Sequence, residues 1–333
     1  MNSLSNFHPL LGKYASTVLP RVIGAHGKQR LSILIYHRVL PYRDELHPSI
    51  PVLEEFSWQM EILARHFNPL SLSDALLMMD EGRLPERAAC VTFDDGYADN
   101  ESVALPVLQK WGVPATVFVA TGFLNGGRMW NDTVTESIRS LAGNSLDLEE
   151  LGLGRYSLAT IFEQREALNE VLTTIKHWSP DDRIQAVNII ESKADRLPVN
   201  LMMTENQVRS LDKNGIEIGG HTVSHPILAT LDAKSAWNEI KQNKEELEIL
   251  LGKPIRYFAY PNGRLGQDYT LTQRDMVKRA GYQAALSTHK GVVSAVGDRW
   301  QMARFTPWDK SPQRFLIRLL LNTAHLVCSP DPI

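Results

Sequence analysis

Short β-branched or apolar runs alternate along the chain with stretches of helical periodicity, the pattern of βα units built around a parallel sheet or barrel. The runs predict strands over 31–36, 89–93, 115–120, 216–219, 257–260 and 284–287. Between them Phe56, Met60 and Leu63 recur at helical spacing, and Gly112 is placed to stop a helix ending at Trp111. Thr204 with Gln207 forms a capping box, and Asp232 caps a long helix ending at Gly252. From about 125 to 199 the alternation breaks: no convincing strand is visible, but at least two helical stretches are, one opened by Ser179 and Pro180. This region is expected to be a helical insertion. It is either one wall of a substrate groove or a structural elaboration, and both readings stand at this point.

With 333 residues, 43% of them apolar, the chain can bury a full core, either as one large α/β domain with additions or as two ordinary domains. A formal net charge of -3 and the lack of any long Lys/Arg run set nucleic acid aside as a partner. Cys90 and Cys328 are too few for a disulfide framework or a thiolate metal site, so a reducing compartment is the simpler reading. The N-terminal residues lack a basic start followed by an apolar core, and no run is long enough to span a membrane. A cytoplasmic location is therefore expected, with peripheral contact at the inner membrane face through the helix at 314–327. There Phe315, Leu316, Ile317, Leu319, Leu320 and Leu321 surround Arg318, after Ser311 as cap and Pro312 at the first helical position. That helix either covers the domain's own core or docks on a membrane surface.

The polar residues of interest sit where the predicted strands stop. The first ends at His37, the second at Asp94 and Asp95, the fourth runs through Gly219 and Gly220 into His221, and the fifth ends in Pro261, Asn262 and Gly263. In a parallel βα barrel these ends meet at one rim, where active sites of such folds lie. Two adjacent carboxylates following an apolar strand need a cation or a shared proton if both point into a site, whereas an exposed acidic turn would need neither. His221 and His225, four residues apart, can face one ion from a helical turn. With one carboxylate they make a three-ligand site that keeps a position open for water. Thr222 after His221 separates the pair from the zinc-protease helix motif, which has Glu there.

The segments Thr92-Phe93-Asp94-Asp95-Gly96-Tyr97, His221 to His225 and Phe258-Ala259-Tyr260-Pro261-Asn262-Gly263 resemble, in order, the successive motifs of the polysaccharide deacetylases, the NodB homology or carbohydrate esterase 4 family. The likeness covers about 31–123 and 201–308. Tyr36-His37-Arg38-Val39 resembles the opening motif of a branch linked to exopolysaccharide or surface-glycan modification. The resemblance implies a distorted α/β barrel of (β/α) type over 31–310 with the insertion at 125–199. An extension at 1–30 and a C-terminal helix and tail at 311–333 flank it. It further implies that Asp95, His221 and His225 hold a divalent metal, Zn²⁺ by the donor set, with Co²⁺ or Ni²⁺ also acceptable. Asp94 would be general base, and the Tyr97 backbone N–H would help hold the oxyanion.

The chain departs from the family pattern in two places. Where many members have an Arg that pairs with the base, this chain has Ala259, and Arg304 in Met302-Ala303-Arg304-Phe305 is the replacement candidate. The late Leu-x-Leu-His motif with its acid is not visible; His37, at the rim, takes that role as acid or orienting group. Tyr260, Pro261, Asn262 and Trp308 are candidate substrate contacts. The expected function is metal-dependent removal of N-acetyl groups from a polysaccharide, oligosaccharide or lipid-linked sugar by metal-activated water attack on the amide carbonyl. A deformylase or O-acetyl esterase would use the same chemistry, and a non-catalytic sugar-binding protein would keep the fold without turnover. The oligomeric state is left open.

Overall fold

The computed structural model describes residues 29–324 apart from residue 142. Most of the extension expected at 1–30 and the tail from 325 onward lie outside the described residues. The parallel strands are β1 (Arg30–Tyr36), β3 (Ala88–Phe93), β4 (Ala115–Val119), β7 (Glu217–Gly220), β8 (Tyr257–Ala259), β9 (Ala284–Lys290) and β11 (Met302–Arg304), hydrogen-bonded in that order. The short β2 (Asn68–Pro69) pairs with β3, and β10 (Val293–Ser294) runs antiparallel to β1. Just past β11, Phe305 accepts from Ile35 N–H at 3.0 Å and donates to Ile33 C=O at 2.7 Å. These two bonds bring the last strand back to the first, so the sheet is nearly closed into a barrel.

Strand alternation sorts the core into two layers. Leu31, Ile33, Cys90, Phe118, Ala259 and Leu286 pack together with Leu72, Ala75, Leu76 and Met79 of α2 (Leu72–Asp80). The residues of opposite parity, among them Leu34, Val91, Val117, Phe258 and Ala285, pack against the surrounding helices. The first set fills the barrel, and α2 closes its lower end: Leu72 N–H donates to Glu217 at the start of β7, and Ser73 Oγ lies 2.9 Å from Tyr257 Oη at the start of β8. The opposite end, where the strands point, is left for the site.

The predicted helices form. α1 (Leu53–His66) carries Phe56, Met60 and Leu63 on its buried face; α3 (Leu105–Trp111) stops at Gly112 in the left-handed conformation. α7 (Glu205–Lys213) has the Thr204–Gln207 capping box, and α8 (Ala233–Leu251) begins at the Asp232 cap and ends at Gly252. The insertion contains α4 (Trp130–Ser140), α5 (Ile161–Ile175) and α6 (Pro180–Ser192), around a small core of its own that includes Val134, Leu146, Leu168 and Ile190. It also holds an antiparallel hairpin, β5 (Ser145–Leu148) with β6 (Gly154–Ser157), which the sequence did not suggest. Only one face of β5 is buried, and four residues per strand leave little periodicity to read.

α9 (Leu271–Arg279) precedes β9, and α10 (Pro312–Thr323) ends the described chain. α10 has Pro312 in its first turn, but the Ser311 side chain makes no cap bond. Phe315, Leu316, Leu319 and Leu320 are buried against the barrel, while Ile317 is 46% exposed. Of the two readings for this helix, the structure has the one in which it covers the core. Asn322 Nδ2 donates to Ser32 Oγ of β1 at 3.0 Å. The last residues of the segment considered for membrane contact, 325–327, lie outside the described residues, and no helix among the described residues is long and apolar enough to cross a membrane.

Candidate metal centre and active site

β3 delivers Asp94 to the barrel mouth with the inward parity of Cys90 and Thr92. Its N–H donates to Tyr36 C=O at 2.9 Å, and the residue is 2% exposed. Arg304, inward by the same alternation on β11, meets it with a two-pronged fork: Nη1 to Oδ1 at 2.8 Å and Nη2 to Oδ2 at 2.7 Å. Arg304 Nε donates to Ser287 C=O at 2.8 Å, so the guanidinium is fixed from behind. Burial alone would raise the pKa of Asp94, but the Arg304 charge and hydrogen bonds outweigh it and hold the carboxyl below its ordinary range.

Asp95 turns differently. With φ at +80° it occupies the left-handed region, and Gly96 continues at +90°, which swings the second carboxylate across the mouth. Its Oδ1 lies 3.2 Å from His221 Nε2 and 3.4 Å from His225 Nε2. That oxygen is buried without a hydrogen-bond partner, an arrangement that is unfavourable unless a proton or a cation fills the gap. Burial pushes the Asp95 pKa up, the two imidazoles and His37 pull it down, and the net position is well below the usual carboxylate range.

His221 continues the inward register of β7. Its Nδ1 lies 2.7 Å from Ala259 C=O, an acceptor only, so Nδ1 carries the proton and the Nε2 lone pair faces Asp95. The segment from His221 to His225 is not the helical turn expected from the spacing. Thr222 and His225 both have positive φ, and Thr222 Oγ1 accepts the His225 N–H at 3.1 Å. The resulting kinked loop brings the two rings to 4.9 Å between centroids. Burial pushes His225 down to about 4, with repulsion from the neighbouring imidazoles adding to it, whereas for His221 the attraction of Asp95 and Asp94 overcomes burial and raises the pKa.

Two residues of α8 that sequence reasoning missed hold this loop. Asn243 is wholly buried, accepts the His221 N–H at 3.0 Å, and donates to Val119 C=O, Thr121 Oγ1 and Thr222 C=O. One turn earlier, Glu239 accepts from the N–H groups of Val223 and Ser224 at 2.8 and 2.9 Å. Gly220 is needed for the close approach: a Cβ there would meet Tyr282 Oη at 2.3 Å and Asn243 Oδ1 at 2.5 Å. No periodicity marks Asn243 or Glu239, because a polar pair at i, i+4 on a helix ordinarily faces solvent.

The ligand atoms of Asp95, His221 and His225 all lie within 4.8 Å of one another. Three convergent donors, one of them an orphaned buried oxygen, fit a tetrahedral divalent cation with an open position. His37 lines the cavity of about 590 Å³ that contains them, together with Asn262. Tyr97 is buried, and its hydroxyl donates to Asp132 of α4 at 3.0 Å. In the bridge between Tyr97 and Met202 the hydrogen bonds are made by Ala98 N–H and Gly96 C=O, so the Tyr97 N–H is turned away from that partner.

Other expected contacts need correction. Tyr260 shares the outward parity of Phe258; it is fully buried, stacked on Tyr269 at 3.8 Å with its hydroxyl on Trp300 C=O. It is a core residue and does not line the cavity. Pro261 is buried and does not line the cavity, leaving Asn262 as the contact from that motif. Trp308, 51% exposed, borders an adjoining cavity that also touches His37 and Asp95.

The polysaccharide deacetylase family model matches residues 81–285. The Bacillus subtilis protein YxkH, whose name places it with the polysaccharide deacetylases, is 23% identical over 267 residues, 80% of this chain and 67% of the relative. The poly-β-1,6-N-acetyl-D-glucosamine N-deacetylase of Staphylococcus epidermidis is 24% identical over 222 residues, 58% of this chain and 73% of that one. Among solved structures, the Streptococcus pyogenes deacetylase PplD in complex with acetate matches over 88% of this chain and 99% of its own, with a TM-score of 0.59 and 20% identity. IcaB from Ammonifex degensii matches over 89% and 97%, with 0.58 and 19%. At such identities the structural likeness carries the fold.

Proposed function

The chain belongs to the polysaccharide deacetylase family, and from this premise we propose that it removes N-acetyl groups from a polysaccharide, oligosaccharide or lipid-linked sugar with the help of a divalent cation. Membership makes it a carbohydrate deacetylase, a hydrolase. One arrangement carries the finer reading: the orphaned Asp95 Oδ1 facing two imidazole Nε2 atoms beside the buried Asp94–Arg304 pair. The N-acetyl assignment is supported by the name of the Staphylococcus epidermidis relative.

Asp95, His221 and His225 would hold the cation; zinc suits the donor set, and cobalt or nickel would accept it. When bound, such an ion polarises an acyl carbonyl and makes a water molecule more acidic. Asp94, kept anionic by Arg304, takes a proton from the attacking water on the carboxylate lone pairs that the guanidinium leaves open. The Tyr97 N–H donates to the carbonyl oxygen as negative charge grows on it. His37, at the mouth, hands a proton to the departing amine. Asn262 and Trp308 border the space where the sugar would lie.

Metal content and acetate release from N-acetylated oligosaccharides, measured for the wild type and for His221→Ala combined with His225→Ala, test this. The expected result is near-stoichiometric metal and acetate release in the wild type, both lost in the double variant. A wild type that binds no divalent metal overturns the proposal. Release of formate or of O-linked acetate in place of N-acetyl would reassign the bond cleaved.

A further inference from the structure

The cavity around the reactive centre is lined by four cationic side chains, Lys176, Arg183, Arg264 and Lys290. None of them has a carboxylate within ion-pair distance among the described residues. Nearby cations behave otherwise: Arg128, Arg274 and Arg318 each have an acidic partner. The four come from two walls. Lys176 follows α5 and Arg183 lies in the first turn of α6, both in the insertion; Arg264 lies in the loop after β8, and Lys290 ends β9.

Arg183 is held in place without a counter-ion. Its Nη1 donates to Lys176 C=O at 2.9 Å and its guanidinium lies 5.3 Å from the centroid of the Trp130 ring. Partial burial with no carboxylate nearby lowers its pKa, a sign that the charge is poorly compensated. The acids of the cavity leave most of the four charges uncompensated, Asp268 supplying one free negative charge against four positive ones. Asp94 is matched by Arg304, and Asp95 belongs to the cation site. Asp268 uses Oδ2 on its own loop, accepting the Arg264 backbone N–H at 2.9 Å. Its Oδ1 is buried and has no hydrogen-bond partner.

We propose that the substrate carries an anionic group, a phosphate ester or a carboxylate, next to the acylated sugar, and that Lys176, Arg183, Arg264 and Lys290 form the wall that receives it. The acylated sugar in this statement rests on the deacetylase reading; the anion does not. Charges on both walls of a concave site reinforce one another and draw an anion in, and such attraction weakens with salt.

The test uses three probes on the full chain: N-acetylglucosamine, its 1-phosphate, and N-acetylmuramic acid, which carries a carboxylate. Calorimetric affinity and acetate release are measured for the wild type and for a variant with Lys176→Gln, Arg183→Gln, Arg264→Gln and Lys290→Gln, with thermal unfolding as the check on folding. At least one anionic sugar should bind the wild type roughly tenfold tighter than the neutral one at about 0.1 M salt, and added salt should shrink the difference. In the variant the ratio should fall to about twofold or less. Preference for the phosphate over the carboxylate, or the reverse, identifies the anion. If the fourfold variant does not fold, Lys176→Gln with Lys290→Gln, one from each wall, should lower the ratio in part. Equal affinity for all three sugars, or an anionic preference that survives the substitutions, overturns the proposal. Anionic sugars that bind tightly while neither these probes nor N-acetylated oligosaccharides release acetate keep the wall and remove the N-acetyl assignment. Acetate release from the neutral sugar with no anionic preference does the opposite.

Discussion

Arg304 and Asp94, 210 residues apart, meet in a parallel pair of hydrogen bonds of 2.8 and 2.7 Å inside the barrel mouth, both side chains buried. They are neighbours because Phe305 closes the sheet onto β1, which in turn pairs with β3. Removing one member of a buried pair leaves the other's charge uncompensated. Arg304→Met should therefore lower stability by about 3–5 kcal/mol, read from denaturant midpoints. Arg304→Lys keeps the charge but loses the fork. Because Arg304 depresses the Asp94 pKa, the Lys variant should move the acid limb of the rate profile to higher pH. An unmoved limb would show that Arg304 does not set the ionisation of Asp94.

The orphaned Asp95 Oδ1 makes metal binding a stability effect as well as a catalytic one. A cation that binds only the folded chain stabilises it by about 2.7 kcal/mol at a free concentration a hundred times its Kd. Zn²⁺ titrated into chelator-treated protein should raise the Tm of the wild type. It should leave that of the His221→Ala, His225→Ala variant in place. The same rise in both proteins would locate the stabilising ion elsewhere.

Asn243 links α8 to the loop that carries both imidazoles, accepting one hydrogen bond and sharing its two amide N–H groups among three oxygens. Asn243→Ala orphans several buried polar groups and should cost about 1–3 kcal/mol. It should also weaken metal affinity, because the His221 backbone loses its anchor. Asn243→Asp can still accept from His221 N–H but cannot donate to the carbonyls of Val119 and Thr222, so it should be no better than Ala. Metal affinity equal to wild type in both variants would reduce Asn243 to a packing residue.

The barrel, its strand ends and the groups at its mouth were readable because they are encoded locally: an apolar run fixes a strand, and the polar residue after it marks the rim. Tyr260 shows how far the same logic reaches. Two-residue alternation through Tyr257, Phe258, Ala259 and Tyr260 already puts Tyr260 on the face away from Ala259, and therefore away from His221. The partnership of Arg304 with Asp94 was suggested only by a departure from the family pattern, since nothing in a three-residue strand shows which charge it meets. The bend at Asp95 and the kinked histidine loop depend on left-handed backbone at non-glycine residues, which sequence spacing does not reveal. Asn243, Asp132 and the cations of the insertion were hidden for another reason. Each looks like an ordinary solvent-facing polar position until the tertiary neighbours it meets are known.

Asp132, a buried acid of the insertion, reaches toward the site and accepts from the Tyr97 hydroxyl at 3.0 and 3.2 Å. Burial, with Asp95 and Glu136 nearby, raises its pKa to about 7 despite the opposing pull of Arg38 and of the Tyr97 hydrogen bond. A folded-state pKa above the unfolded value means that the folded chain binds the extra proton. The associated stability is present below the unfolded pKa of about 4 and is lost as pH rises toward and through about 7. Asp132→Asn cannot ionise, and its Oδ1 can still accept from Tyr97. The variant should gain stability relative to wild type at about pH 8, on the order of 4 kcal/mol, and much less at about pH 4. Denaturant unfolding of both proteins at the two pH values measures the difference. A gap independent of pH would mean that Asp132 does not titrate in this range and that the groups packed around it, Arg38 above all, hold it ionised.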